Sequence, residues 1–149
     1  MKVMYGENKM SSFKTHRRFN YLIFIIGCLI LNHFNLFNVY IMTTIGIGFI
    51  IGTELVTPDL DTASTPSSRV GWIWLPYRLA FKHRGTSHNY IFGFISRILY
   101  ITLIIGLLCI LFSIQPAVTP ELLAIVLVLI AGIAVANGLH IFLDKIITR

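Results

Sequence analysis

LLAIVLVLIAGIAVANGLHIFL, residues 122–143, contains no aspartate, glutamate, lysine or arginine, and then runs directly into Asp144 and Lys145. A soluble helix carries an apolar stripe that repeats every three or four residues, whereas here the apolar residues are continuous. About 20 such residues in a helix span the hydrocarbon of a bilayer. Residues 21–53 and 98–120 lack the same four residue types. With 56% hydrophobic and 12% charged residues and a mean hydropathy of +0.79, the 149-residue chain reads as an all-α integral membrane protein forming a single membrane domain, 1–149.

Working outward, the turn signals divide these runs. NHFNLFN (32–38) interrupts the first with asparagines, making a hairpin of two helices, each short enough to require tilt or local thinning of the bilayer. TPDLDTASTPSSR (57–69) is a loop by its Pro, Ser, Thr and Asp content. VGWIWLPYRLAF (70–81) carries Trp72, Trp74 and Tyr77, residues suited to the headgroup level, and reads as a short interfacial helix. A third helix is expected from about Asn89 to Ile114 and a fourth from Glu121 to near the C-terminus, with SIQPAVTP as the turn between them. The expected architecture is four transmembrane helices in two hairpins plus the interfacial helix.

The charges orient that path. After four crossings the N-terminus, the 57–90 loop and the C-terminus share one side. All 12 lysines and arginines fall on that side or within two helical turns of it. The positive-inside rule makes it cytoplasmic: a basic N-terminus at 1–18, a cytoplasmic loop at 57–90 and a cytoplasmic C-terminus, in a multi-pass protein of the cell membrane. A single long span over 20–53 would instead put Lys2, Lys9, Lys14, Arg17 and Arg18 outside. The net charge of +6 is thus an orientation signal, and no nucleic-acid partner is expected. Cys28 and Cys109 lie inside apolar runs, as small hydrophobes rather than a disulfide.

Ligand-type residues gather on the same side. His16 is at the cytoplasmic start of the first helix, Asp59 and Asp61 follow the second, His83 and His88 precede the third, and His140 and Asp144 end the fourth. Of the five histidines only His33 falls on the other side. His140 and Asp144 are four apart, so they share a helix face. In an extended loop Asp59 and Asp61 would point the same way, as a carboxylate pair for one or two cations. A lone His-x-x-x-Asp pair is commonly a helix-end contact, but seven such residues on one face point to a metal site. Imidazole with carboxylate and no thiolate suits zinc, manganese or iron. Glu54 stands nearby as a ligand, a partner to one or a helix end.

The series THRRFN, TPDLDTAS, GWIWLPY, HRGTSH, the glycine and arginine of FGFISRILY, and HIFLD resembles an uncharacterised bacterial and archaeal family of metal-binding membrane proteins. The HRGTSH and DLD blocks are more distantly similar to the YdjM-like membrane-bound metal-dependent hydrolases. The resemblance covers about Thr15 to Asp144. It implies that His16, Asp59, Asp61, His83, His88, His140 and Asp144 are metal-site positions.

Two classes of function follow. In a metal-dependent hydrolase acting at the cytoplasmic face on a phosphoester or lipid-linked substrate, one or two cations would activate water. Arg84, with Arg17 or Arg69, would clamp phosphate, and Ser87 or Thr86 would hold a ligand or substrate oxygen. In the alternative, a metal-binding sensor, store or scaffold, the ligands close the coordination sphere. Cation transport fits poorly, because the middles of the helices carry no ionisable residue.

Overall fold

The structure, a computed structural model, describes residues 13–36, 38–58, 71–80 and 90–147. These form five helices and no strand: α1 (Phe13–His33), α2 (Val39–Glu54), α3 (Gly71–Ala80), α4 (Tyr90–Leu111) and α5 (Pro120–Ile147).

Local chemistry sets their ends. Asn35 takes a left-handed backbone (φ 54°), and Leu36 N–H bonds back to Leu31 while Asn35 N–H bonds to Asn32. This pattern ties off the last carbonyls of α1, and asparagine tolerates its φ better than most residues. The same arrangement ends α4, with Ser113 at φ 53° and Ile114 N–H bonding to Cys109. That turn is why the helix expected to reach Ile114 stops at Leu111. The Asn38 side chain accepts from Ile41 N–H at 3.1 Å and caps α2, and Thr119 Oγ1 caps α5 ahead of Pro120, whose missing N–H costs nothing at a first helical position. At the other boundary α1 begins at Phe13, so Lys14, Arg17 and Arg18 belong to its first turns rather than to a leader before it.

The central pair is α2 against α5, joined along small residues. Gly48 and Gly52 on α2 face Gly132 and Ala136 on α5. A Cβ on Gly48 would strike the Leu129 carbonyl, one on Gly132 the Ile45 carbonyl, and one on Gly52 would stand 2.9 Å from Ile133 Cα. Both runs are small-x-x-x-small, the spacing that lets two helix backbones approach closely. Around this pair α1 lays Phe24 on Phe49 with ring centroids 4.5 Å apart. The Tyr90 ring of α4 covers Gly138, and its hydroxyl donates to the Ala134 carbonyl at 3.3 Å. The short α3 docks through Trp74 and Tyr77 onto Tyr100, with Val56 and Ile133 completing the cluster. Tyr77 shares a 2.8 Å hydrogen bond with Ser96, and Tyr100 donates to the Ile73 carbonyl.

Outside this seam the apolar residues face outward. Leu99, Leu103, Leu107 and Ile110 of α4 are exposed, as are Leu122, Leu123 and Leu127 of α5. Both helices are long and apolar enough to cross a membrane, with mean hydropathies of 2.4 and 2.7, and α2 is a shorter apolar helix. In the most apolar stretch of α4 only 6% of residues are buried, unlike a soluble core helix, whose apolar side chains are covered. Cys28 and Cys109 are free and half-buried.

Candidate metal centre

Four helix ends meet at one end of the bundle: the starts of α1 and α4 and the finishes of α2 and α5. Asn20 of α1 bonds Thr53 of α2 and Ala136 of α5, and Arg97 of α4 donates to the Thr57 carbonyl just past α2. The turns at 34–36 and 112–119 therefore lie at the opposite end.

At the shared end, His16, His140 and Asp144 form one cluster whose donor atoms all lie within 4.8 Å of one another. His16 Nε2 is 3.1 Å from Asp144 Oδ1, and His140 Nε2 is 3.6 Å from Asp144 Oδ2. The two imidazoles stack with centroids 4.0 Å apart and planes inclined by 18°. His16 is 2% and His140 3% exposed, so both rings are out of water, while Asp144 keeps one side open. The α5 geometry explains half of the cluster, since residues four apart stand one above the other. The antiparallel run of α1 beside α5 supplies the rest.

The cluster fits a metal on its own terms. Donor atoms around one zinc, each about 2.0–2.1 Å from the ion, stand about 3.3 Å apart, close to the two separations above. Two imidazoles and one carboxylate are also a recurrent ligand set for catalytic zinc and for non-haem iron. In addition, His16 Nδ1 is buried with no hydrogen-bond partner among the described residues, so the ring is held from its Asp144 side alone.

The other residues singled out from the sequence divide clearly. His33 is at the far end of α1, edge-on to Phe34 with centroids 5.2 Å apart, and belongs to the turn. Glu54 stands outside the cluster: its Oε1 accepts from the Tyr21 hydroxyl at 3.0 Å and lies 3.8 Å from Arg17 Nε, so it ties the end of α2 to α1. Asp59, Asp61, Arg69, His83, Arg84, Thr86, Ser87 and His88 lie outside the described residues.

Among the described residues, five buried polar ones were not singled out as ligands or their supports by the sequence reading: Asn20, Thr53, Thr57, Arg97 and Asn137. A signal for the asparagines existed. Asn20 is one helical turn after His16, and Asn137 is the one amide in the apolar run 122–143, three residues before His140. Arg97 is 1% exposed, and its guanidinium holds Thr57 O at 3.4 Å, next to the segment that carries Asp59.

Fold and cluster together define a class: an all-helical protein that brings imidazole and carboxylate donors from both ends of its chain to one end of the bundle. Residues 11–149 match the family described as uncharacterized metal-binding protein (DUF2227), and the chain belongs to that family. An uncharacterized protein of Aquifex aeolicus (strain VF5) is 35% identical over 60 residues. That stretch covers 38% of this chain and 43% of the Aquifex protein, less than half the length of either. No solved structure matches.

Proposed function

We propose that the protein is a four-pass membrane protein with both termini in the cytoplasm, carrying a divalent-metal site at its cytoplasmic face. In this reading it is a metal-dependent hydrolase for a phosphoester or lipid-linked substrate. The observation that carries the reading is the meeting of His16, His140 and Asp144 at one end of the bundle. Three protein donors on one ion leave a coordination position for water and substrate, and the four further ligands proposed below would hold a second ion.

Asp59, Asp61, His83 and His88 join the proposed ligand set by connectivity. Asp59 directly follows Pro58, past the end of α2, and His88 is two residues before Tyr90, the start of α4. Both flanking residues belong to the end of the bundle where the cluster lies, and two residues of chain reach no further than about 7 Å. A bound zinc, manganese or iron ion would polarise a phosphoryl oxygen and acidify a water. The chain's own groups supply the remainder. The Arg84 guanidinium is suited to grip two phosphate oxygens at once, and the Ser87 hydroxyl can hold a ligand or substrate oxygen. Trp72, Leu75 and Leu79, exposed on one side of α3, form an apolar face by which a lipid-linked substrate can approach from the bilayer surface. The likeness of the HRGTSH and DLD blocks to the YdjM-like hydrolases supports the reaction class.

A closed, non-catalytic site is the second reading, favoured by the burial of both imidazoles. Elemental mass spectrometry of the detergent-purified chain, beside His140→Ala and Asp59→Ala checked for folding, tests the metal. A near-stoichiometric transition metal lost in both variants is expected; a native chain that stays metal-free after reloading with zinc or manganese overturns the site. Water proton relaxation on the manganese-loaded chain then separates the two readings, because a closed sphere gives no enhancement from exchanging water.

A further inference from the structure

We propose that His16, Asn20 and Asn137 hold a buried water that fixes the His16 ring with Nε2 toward the metal position, making the two asparagines positioning residues of the centre. The proposal rests on the reading of His16, His140 and Asp144 as ligands.

The argument begins with the orientation of two amides. Asn20 Nδ2 donates to the Ala136 carbonyl at 3.1 Å and to Thr53 Oγ1 at 3.3 Å, and Asn137 Nδ2 donates to the Ile133 carbonyl at 3.0 Å. A backbone carbonyl can only accept, so the side-chain atoms facing Ala136 and Ile133 must be the nitrogens. Both amide oxygens then point elsewhere. Each is buried, on residues 1% and 0% exposed, and neither accepts a hydrogen bond from any described residue. His16 Nδ1 is in the same condition. Buried polar groups of this kind are rare because each costs the hydrogen bond it had in water.

The three groups stand on neighbouring turns of the packed α1 and α5, and they complement one another. Helical side chains lean toward the N-terminus, so Asn20 leans toward His16 one turn before it, and His140 leans over Asn137. The stacking of the two imidazoles and the Asn20 bond to Ala136, the neighbour of Asn137, join the two helices at this level. If Nε2 of His16 is the metal donor, a neutral imidazole carries its proton on Nδ1 and is a hydrogen-bond donor there. One donor and two acceptors suit a single water, which accepts from Nδ1–H and donates to both amide oxygens. Metal-bound histidines commonly anchor their second ring nitrogen in this way. A monovalent cation is a poorer occupant: it would face an N–H, two neutral oxygens and a divalent neighbour. Gluing of the helices accounts for the Asn20 Nδ2 bonds, and a bond back to its own helix for Asn137 Nδ2, but both oxygens are left unused.

The test uses zinc as the probe on the full chain in detergent. Asn137→Leu removes one acceptor while the Ile133 carbonyl keeps its helical partner, and Asn20→Leu removes the other. Each is expected to weaken zinc binding 10- to 100-fold, and the double variant to be no weaker than the worse single, because both lose the same water. Affinities within threefold of native, or losses that multiply, would overturn the proposal. Native protein that binds no zinc removes the metal reading itself, a separate result from native binding with indifferent variants. Should the leucine variants fail to fold, 15N imidazole spectra of the native zinc-loaded chain decide. His16 protonated at Nδ1 and ligating through Nε2 supports the water site; ligation through Nδ1 rules it out.

Discussion

His16 and His140 come from opposite ends of the chain, yet their rings stack over one another beside a single carboxylate. Taking two imidazoles out of water is costly unless each finds a partner, and a cation held with Asp144 provides one for both. Removing one donor should therefore be felt by the ion more than by the fold. His16→Ala and Asp144→Asn are each expected to lower zinc retention at least tenfold by equilibrium dialysis. His33→Ala, at the far turn, should leave it unchanged. Equal loss in all three variants would mean that zinc binds adventitiously. At this scale the sequence exposed the ligand types and the His-x-x-x-Asp spacing. It did not expose which of seven candidates touch, because contact between α1 and α5 is set by packing and not by spacing. Asn20 and Asn137 were legible only as positions one turn from a histidine; the direction in which their amides point exists only in the folded bundle.

Among the elements, the glycine seam between α2 and α5 is the feature most sensitive to a single methyl group. Gly48→Ala and Gly132→Ala each drive a Cβ into the facing backbone, which cannot move aside as a flexible side chain would. A loss of about 3 kcal/mol, at the upper end of ordinary overpacking, is expected from either. Gly106 is the control, having nothing within 4 Å of its would-be Cβ. Gly106→Ala should gain up to about 1 kcal/mol from helix propensity alone, so thermal melts in detergent should move in opposite directions for seam and control. On α3, Tyr77→Phe removes the hydrogen bond to Ser96 and should cost about 1 kcal/mol. The helices themselves could be read from the sequence, since caps and turn residues lie at their ends: Asn38, Asn35, Thr119 with Pro120. Their exact limits were less legible. The chain can continue helical through Lys14, Arg17 and Arg18, and Ser113 gives no local sign of its left-handed backbone.

For the whole molecule, α4 and α5 carry outward-facing apolar residues and are long and apolar enough to cross a membrane. On the proposed membrane reading the chain should remain in the pellet after alkaline carbonate extraction. A reporter fused to the C-terminus should behave as cytoplasmic, while one inserted near Gln115 should lie across the membrane. A C-terminal reporter that is translocated would reverse the orientation drawn from the lysines and arginines and move the cluster to the other face.

What the amino-acid sequence determined by itself is the set of local quantities. Continuous apolar runs require helices that satisfy their own backbone. Asparagine, proline and threonine stop and start them, and the positions of cations and ligand-type residues follow from counting along the chain. The tertiary structure alone decided which helix faces meet. The Gly48–Gly132 seam sets the approach of α2 to α5, the fit of Phe24 on Phe49 seats α1, and the descent of α1 beside α5 brings His16 against His140 and Asp144. The reason is physical. A helix signals its ends and its polarity through neighbours a few residues away, but a site built from two helices depends on their relative rotation, which no local pattern encodes.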